Sequence, residues 1–337
     1  MTVVVYLIIT YFVRKENFME LASKKICDLA VGDRVDCFFI VKRVDLKTTN
    51  SNDKKYLDFI FGDKTGEISG KLWEVPAALE TMFKESDLVK ARGTVTSFMN
   101  SNQFKIDRIR LASEEDGVDP EDFVETAPLK NTFMLDEIRK FMISIKDEDI
   151  RRVVEAAVEE KMDKIMYYPA AKRNHHAIRS GLLYHVLTML KLGQQIAGIY
   201  TTVNTDLLYA GIILHDLEKM NEMESSELGI VSEYTIEGNL LGHISLGVKN
   251  VDRICDRLGT PDEKRMLLQH MILSHHYEPE YGSPVKPMFL EAELLHHIDM
   301  IDARVFDFNL AVRDLEPGTF SESIFSLDRR RIYNPKL

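Results

Sequence analysis

The sequence predicts a multidomain α+β protein in which a five-stranded β-barrel precedes an all-α helical bundle. The chain of 337 residues is longer than one typical domain, and its apolar content of 45% is sufficient for two buried cores. Short runs of β-branched and aromatic residues fill the first third, whereas the remainder repeats apolar residues at the three- and four-residue spacing of helices. An acidic segment separates the two patterns.

The N-terminal run MTVVVYLIITYFV is apolar but too short to span a bilayer. It also lacks the basic region and the cleavage site of a signal peptide. Met19 then begins an ordinary polar segment. We therefore predict that residues 1–18 are an extension from an upstream start site, with a short edge strand or partner-binding strand as the alternative.

Five strand-like runs follow between Gly32 and Leu111, separated by clusters of Asn, Asp, Gly and Ser. They are VDCFFIVKRVDL, YLDFIFGD, GEISGKLW, DLVKARGTVTSF and NQFKIDRIRL. Five strands within residues 19–112 favour a small closed barrel, and the OB-fold is the commonest such barrel with a nucleic-acid role. Its ligand lies across strands 2 and 3, so Trp73 in the third run is a candidate stacking residue; a place in the barrel core also explains it.

Residues 113–130 are predicted to be a solvated linker, because EEDGVDPEDFVE within them has seven acidic residues and no basic one. Residues 131–337 then form the all-α domain and a C-terminal tail. The predicted helices are MLDEIRKFMISI, EDIRRVVEAAVEEKM, GLLYHVLTMLKLGQQIAGIY, TDLLYAGIILHDLEKM, LLGHISLGVKNVDRICDRL, PDEKRMLLQHMILSHH and AELLHHIDMIDARVFDFNLAV.

The net charge of −11 argues against a protein that coats nucleic acid by bulk electrostatics. The barrel segment differs from the whole chain, since residues 19–112 hold 16 basic against 14 acidic side chains. The three cysteines show neither a CxxC pair nor a metal-type spacing, which favours a reducing cytoplasm. No membrane association is expected, and apolar helical surface is compatible with a homo-oligomer.

All ten histidines lie between His175 and His297, and several occur beside acidic residues on predicted helices. The series is His185, His215-Asp216, His243, His275-His276 and Asp299. Imidazole and carboxylate are ligands for Mn²⁺, Fe²⁺ or Zn²⁺, and each helix of a bundle can supply one or two of them. A hydrogen-bonded core histidine explains any one position equally well. It does not explain the set, because a buried carboxylate such as Asp216 is costly unless it is paired or bound to a metal.

The order of the clustered residues along the chain, His, His-Asp, His, His-His, Asp, resembles that of the HD phosphohydrolase superfamily. The surrounding sequence segments resemble the YhaM family of exoribonucleases. Those segments are NHHAIRSGLLYH, AGIILHDLEK, EGNLLGHI, ILSHHYEPEYGSPV, EAELLHHIDMIDAR and SLDRRRIYNP. The resemblance extends over roughly residues 20–335 and implies an OB-type barrel followed by an HD domain. It also implies a metal-dependent phosphodiesterase that degrades single-stranded RNA, or single-stranded DNA, from the 3′ end to nucleoside 5′-monophosphates.

The resemblance implies two divalent transition metal ions, with Mn²⁺ expected and Fe²⁺, Co²⁺ or Zn²⁺ as alternatives. One ion would be bound by His185, His215, Asp216 and Asp299. Asp216 would bridge to a second ion, bound by His243, His275 and His276.

The implied catalytic residues are Asp216 and Lys219, with Lys219 facing the scissile phosphate. Substrate contact is implied for Asn174, His175 and His176. Arg330, in the run of residues 329–331, is a candidate for phosphate contact, and a surface patch explains this run equally well.

Four positions depart from the family pattern: Glu218, Ser180 and Tyr277 where Gly is expected, and Tyr184 where Glu is expected. Glu218 must point outward or add a carboxylate near the metals. Two other functions therefore stay open. One is an HD hydrolase of a small nucleotide or cyclic dinucleotide, and the other is a catalytically impaired single-strand binding protein whose pocket Glu218 and Tyr277 close.

The remaining histidines, His270, His296 and His297, are expected to be mainly structural, although His296 is close enough in sequence to Asp299 to reach the pocket. Asp302 is expected to pair with a basic residue such as Arg304.

Overall fold

Five strands form near their predicted bounds. The computed structural model describes residues 23–49, 53–99, 101–172 and 175–337, so the predicted extension at residues 1–18 lies outside the described residues. The strands are β1 (Arg34–Thr48), β2 (Lys55–Asp63), β3 (Gly66–Trp73), β4 (Leu88–Phe98) and β5 (Ser101–Leu111).

The strands close into a barrel with the hydrogen-bonded order β1-β2-β3-β5-β4. β1 pairs antiparallel with both β2 and β4, and a bulge between Val41 and Arg43 bends it between these two partners. β3 and β5 pair in parallel, whereas the other neighbours are antiparallel. The prediction of a five-stranded OB-type barrel is confirmed.

Alternating residues of these strands fill the barrel core with aromatic rings. Phe39, Phe59, Phe61 and Phe104 are fully buried. Phe61 stacks on Phe39 with ring centroids 5.1 Å apart and on Phe59 at 4.9 Å. Gly70 on β3 makes room for this stack, because a β-carbon there would lie 2.4 Å from the Phe61 ring.

Nine helices occur in the described part of the second unit. They are α1 (Asn131–Ser144), α2 (Glu148–Glu159), α3 (Met162–Ile165), α4 (Gly181–Ile199), α5 (Thr205–Leu214), α6 (Lys219–Glu222), α7 (Ile236–Leu258), α8 (Asp262–Ser274) and α9 (Leu290–Val312). Their apolar faces enclose one core, and the all-α prediction is confirmed apart from a short hairpin of β6 (Met223–Ser225) and β7 (Val231–Tyr234). No helix of the described residues has the length and apolar character needed to cross a membrane.

The two compact units divide between Gly117 and Val118. This boundary lies inside the segment 113–130 that the sequence predicts to be a solvated linker. Asp116 belongs to the barrel unit, where its carboxylate pairs with Arg110 at 2.6 Å. Val124 and Ala127 are buried in the helical unit. The acidic segment is therefore shared between the two units.

Gly93 on β4 is the position in the barrel where a side chain is least tolerated. A β-carbon there would lie 2.2 Å from the backbone oxygen of Lys105 on the adjacent strand, an overlap that only a backbone shift relieves. Gly93→Ala is expected to lower the free energy of unfolding by about 1–3 kcal/mol. Urea unfolding followed by the fluorescence of Trp73, the only tryptophan, measures it in the barrel itself.

The matched control is Gly66→Ala on β3, where the added β-carbon would have an ordinary contact of 3.6 Å with Ile26. Equal unfolding midpoints for the two variants would contradict the prediction.

Candidate metal centre

Histidine and aspartate side chains from five helices and helix ends converge in the helical unit. The structure brings together all seven ligands that the sequence predicts, and groups of three or four of their donor atoms lie within 4.8 Å of one another. They are His185 on α4, His215 and Asp216 directly after α5, His243 on α7, His275 and His276 directly after α8, and Asp299 on α9.

Asp216 lies at the centre of this cluster, and its two oxygens face different sets of histidines. Oδ2 lies 3.4 Å from Nε2 of His215 and 3.8 Å from Nε2 of His185. Oδ1 lies 3.4 Å from Nε2 of His243 and 3.8 Å from Nε2 of His275. One carboxylate is thus placed between two groups of imidazoles, as a bridging ligand would be.

The histidines are oriented by the ring nitrogen that faces away from the cluster. Nδ1 of His215 donates to the carbonyl of Ile212 at 2.8 Å, and Nδ1 of His275 donates to the carbonyl of Ile272 at 2.7 Å. Nδ1 of His276 likewise donates to the carbonyl of Tyr281 at 2.6 Å. Because a carbonyl only accepts, each Nδ1 carries the proton and each Nε2 presents a lone pair.

Several donor atoms of the cluster are buried and unpaired. Nε2 of His215, His243 and His275 and Oδ1 of Asp216 make no hydrogen bond within the described residues. Leaving such atoms unpaired costs about 1–3 kcal/mol each, so their convergence requires a ligand. Neutral imidazoles and a carboxylate are the donors that a divalent transition metal needs, and the residues present fit one.

The protonation states also suit metal binding. Burial lowers the pKa of His215 and, more strongly, that of His275, which keeps both rings neutral. Burial alone would raise the pKa of Asp216, but Lys219 and the surrounding histidines hold it well below its usual range. Burial would lower the pKa of His185, yet the carboxylates of Asp299 and Asp302 raise it to about 10. A metal ion would replace the proton at this ligand.

A close approach of α5 and α8 brings His215 and His275 together. Gly211 on α5 lets Met271 of α8 pack directly against the helix, because a β-carbon there would lie 2.1 Å from the methionine methyl group, which would then have to move. The two imidazole rings are consequently 5.0 Å apart, centroid to centroid. The predicted helix TDLLYAGIILHDLEKM ends at Leu214 and resumes at Lys219, so His215 and Asp216 lie in the turn between α5 and α6.

His243 is placed by a break in α7. Gly242 adopts φ 67° and ψ 160°, a conformation that favours glycine. The backbone amide of His243 donates to Oε1 of Glu222 at 3.0 Å, and its Nδ1 lies 3.1 Å from the same oxygen. Glu222 therefore fixes both the start of the second helical segment and the orientation of the imidazole.

The partner predicted for Asp302 from the sequence was wrong. Oδ2 of Asp302 lies 2.7 Å from Nδ1 of His185 and 2.7 Å from Nε2 of His176. Arg304, the expected partner, instead donates to the carbonyl of Ser326 and pairs with Asp328. Asp302 follows Asp299 by three residues on α9, and this spacing was the signal that it faces the same side.

Glu218 neither points outward nor joins the groups of potential ligands. Its side chain is 4% exposed, and Oε1 lies 2.8 Å from the ammonium of Lys161, whose side chain is 9% exposed. The side-chain amides of Asn250 and Asn221 donate to the same carboxylate, at 2.7 and 2.5 Å. The expectation that Glu218 points outward was therefore wrong, because the fold provides its carboxylate with buried partners.

Two positions where the sequence analysis expected glycine have left-handed backbones. Ser180 has φ 59° and Tyr277 has φ 68°. Such conformations cost a non-glycine residue on the order of 1 kcal/mol or more. Ser180 offsets part of this cost with a hydrogen bond from its hydroxyl to the carbonyl of Met166 at 2.7 Å. The ring of Tyr277 packs against His296, with centroids 4.7 Å apart.

The predicted substrate residues occupy three separate places. Asn174 lies outside the described residues. His175 and His176 lie beside His185, with ring centroids 5.8 and 5.2 Å from it, and His176 is buried. Trp73 is half-exposed on the barrel, and Arg330 belongs to the C-terminal tail of the helical unit.

The three other histidines are not among the potential ligands. His296 contacts the carbonyl of His275 through Nδ1 at 2.8 Å, behind the cluster. His270 accepts from the amide of Met288, and His297 pairs with Glu293 on the surface.

Comparison with known proteins gives matches to both parts of the chain. A family model described as HD domain matches residues 182–304, a range that contains all seven predicted ligands. The 3′-5′ exoribonuclease YhaM of Listeria welshimeri is 41% identical over 313 residues, which cover 93% of this chain and 99% of the relative. The chain belongs to the YhaM exoribonuclease family.

Another member of the YhaM family, from Geobacillus sp. (strain WCH70), is 40% identical over 93% of this chain and 95% of its own length. Among solved structures, the second OB-fold domain of replication protein A from Methanococcus maripaludis is 20% identical and covers 27% of this chain and 96% of its own, with a TM-score of 0.24. The resemblance found in the sequence is confirmed by the YhaM relatives.

Asp302→Asn is expected to weaken metal binding, because the amide no longer provides the negative charge that orients the imidazole of His185. Loss of such an outer partner typically costs 10–100-fold in metal affinity, so we expect the Kd for Mn²⁺ to rise by about 10-fold or more. Isothermal titration calorimetry with Mn²⁺ measures it. The control is Asp314→Asn, an exposed carboxylate just beyond α9; an affinity that falls equally in both variants, or in neither, would rule out the positioning role.

Glu218→Gly is expected to destabilise the helical unit by about 3–5 kcal/mol, because it leaves the ammonium of Lys161 buried without its partner. The double variant Lys161→Met/Glu218→Gly removes the orphaned charge and should recover most of the loss. Urea unfolding followed by far-UV circular dichroism compares the two. Equal destabilisation of the single and double variants would show that the ion pair is not what Glu218 contributes.

Proposed function

We propose that this protein is a metal-dependent 3′-to-5′ exoribonuclease that hydrolyses single-stranded RNA to nucleoside 5′-monophosphates. The observation that carries the proposal is the bridging position of Asp216, with each of its oxygens facing a separate set of histidines. Membership of the YhaM family supports the choice of substrate and direction. Single-stranded DNA offers the same phosphodiester chemistry and is the related substrate to test.

Two divalent ions would be held by the cluster. His185, His215, Asp216 and Asp299 would bind one, and Asp216, His243, His275 and His276 would bind the other. Mn²⁺ is the expected metal, and the same nitrogen and oxygen donors accept Fe²⁺, Co²⁺ or Zn²⁺. When bound, a pair of such ions lowers the pKa of water and offsets the negative charge that the phosphate gains.

Lys219 supplies the fixed positive charge of the site. Its ammonium lies 2.6 Å from Oδ2 of Asp216. Burial would lower its pKa, but Asp216 and Asp299 raise it, so the ammonium keeps its proton. In this role it would face the non-bridging oxygens of the scissile phosphate and stabilise the charge that develops on them.

His175 and His176 would contact the 3′-terminal nucleotide. Burial lowers the pKa of His175 to about 3, so its ring is neutral and available for stacking or hydrogen bonding. His176 is held by Asp302, the same carboxylate that holds His185, and this shared partner couples substrate contact to the metal ligand.

The barrel would bind the upstream part of the strand. Trp73 packs on Tyr56 with centroids 4.7 Å apart, and the ammonium of Lys71 lies 5.0 Å from the Tyr56 ring and 5.7 Å from the Trp73 ring. These residues lie on β2 and β3, the face on which OB-folds bind. Exposed rings beside a cation suit stacked bases and phosphates.

The test is degradation of 5′-labelled single-stranded RNA by the full-length protein, with Mn²⁺ or with EDTA. We expect a descending ladder that requires the metal, and no ladder with Asp216→Ala. His297→Ala is the matched control, because this histidine is exposed and lies outside the cluster, and it should keep wild-type activity.

Other outcomes separate the remaining functions. Intact RNA from a protein that still binds about two metal ions per chain would favour a hydrolase of a small nucleotide or cyclic dinucleotide. Intact RNA and no bound metal would favour a single-strand binding protein. The geometry does not favour the latter, since Glu218 is paired with Lys161 rather than directed at the ligands.

A further inference from the structure

The chain beyond α9 folds back and forms a cleft with that helix. We call it the C-terminal cleft; it has a volume of about 510 Å³. Its walls are partly aromatic and partly basic, and the residues that matter here are Phe308, Phe320, Tyr333, Arg330 and Arg331. The cleft lies entirely within the helical unit.

The C-terminal cleft is held in shape by the backbone of the tail. The amide of Ser321 donates to the carbonyl of Ile332 at 2.8 Å, and the amide of Asn334 donates to the carbonyl of Thr319 at 2.9 Å. Leu327 and Ile332 are buried beneath these contacts. A ligand would therefore meet a preformed surface and would not have to order the tail.

Arginines and aromatic rings alternate along the cleft. The guanidinium of Arg330 lies 5.6 Å from the ring of Phe308, and that of Arg331 lies 5.6 Å from the ring of Phe320. Phe320 also contacts Tyr333, with centroids 5.0 Å apart. Phe320 and Tyr333 are 54% and 46% exposed, so both are accessible to a ligand.

The arginines are positioned by backbone carbonyls more than by acids. Nε of Arg331 donates to the carbonyl of Ser321 and Nε of Arg330 to that of Leu327, both at 3.0 Å. Asp328 pairs with Arg330 at 3.3 Å, but among the described residues no carboxylate pairs with Arg329 or Arg331. Residues 318–337 contain four basic and two acidic side chains in a chain whose net charge is −11.

Exposed rings with neighbouring guanidinium groups have the chemistry that binds single-stranded nucleic acid. Bases stack on flat aromatic side chains regardless of sequence, and the arginine fork binds phosphate oxygens with two hydrogen bonds. An acidic or purely apolar partner would leave either the rings or the positive charges without a counterpart.

The C-terminal cleft is separate from the metal cluster, although α9 contributes to both. Phe308 follows Asp299 by nine residues, which places it roughly 13 Å along the helix and about half a turn around it. The cleft therefore lies on the opposite side of α9 from the ligands, where it would contact a part of the strand other than its 3′ end.

We propose that the C-terminal cleft is a second binding site for single-stranded RNA, which holds nucleotides upstream of those in the metal pocket. The base of one nucleotide stacks on Phe320 and Tyr333, and Arg331 binds an adjacent phosphate. This inference rests on the proposed function for the identity of the ligand as RNA. The presence of a binding site in the cleft is argued from the structure alone. It predicts that long substrates bind better than short ones for a reason independent of the catalytic pocket.

The test uses the full-length protein and two variants, Phe320→Leu and Arg331→Ala. Leucine keeps apolar packing in the tail but removes the flat ring. We measure fluorescence anisotropy in EDTA with a labelled single-stranded RNA of about 20 nucleotides, and expect each variant to raise its Kd at least about fivefold. In Mn²⁺, the KM for this RNA should rise by a similar factor, whereas kcat and the cleavage of a trinucleotide should not change.

Arg313→Ala is the matched control, because Arg313 is as exposed as Arg330 and belongs to the same unit, where it pairs with Glu125. It should bind and cleave the long RNA like the wild type. Thermal unfolding verifies that each variant is folded, and light scattering records its oligomeric state.

Three results would overturn the proposal. They are an unchanged Kd and KM for the long RNA in folded variants, an equal loss on the trinucleotide, and dissociation of an oligomer, which would make the cleft a contact between copies. If the wild type cleaves no RNA at all, the proposed function fails, while the anisotropy experiment still decides whether the cleft binds RNA.

Discussion

The buried carboxylate of Asp216 is the constraint on which the helical unit depends. An ionised carboxylate that is 2% exposed is tolerated only where positive charge or metal surrounds it. The ammonium of Lys219 provides part of this positive charge. Four histidine Nε2 atoms lie within 3.8 Å of the carboxylate, and a metal ion bound between them would provide the rest. The backbone carbonyls and the two carboxylates that contact the opposite ring nitrogens then follow from the need to direct every lone pair inward.

Local charge, and not net charge, suits this protein to an anionic substrate. The chain is acidic as a whole, yet cationic groups lie beside aromatic rings on the barrel and in the tail, and beside Asp216 in the cluster. Lys71 lies over Tyr56 and Trp73 on the barrel, Lys219 contacts Asp216, and Arg330 and Arg331 lie over phenylalanines in the tail. In each case a ring or a carboxylate holds the cation in place, so less side-chain entropy is lost when a phosphate binds.

The departures from the family pattern are accommodated while the seven predicted ligands still converge. The carboxylate of Glu218 is neutralised by Lys161 and accepts hydrogen bonds from two asparagine amides. Ser180 and Tyr277 keep the left-handed backbone that glycine would adopt more readily, and each gains a contact through its side chain. A substitution that looks disruptive in the sequence can thus be neutral when its partner is distant in the chain.

The sequence by itself determined the order and bounds of the barrel strands, the order of the main helices and the seven residues of the cluster, because alternation, helical spacing and adjacent His-Asp pairs are local signals. Only the tertiary structure decided which side chains of the site contact one another. The pairing of Asp302 with His185 and His176, of Glu222 with His243, and of Lys161 with Glu218 joins residues up to 126 positions apart. Such contacts follow from how helices cross and where glycines let them approach, as at Gly211, and no local pattern encodes that packing.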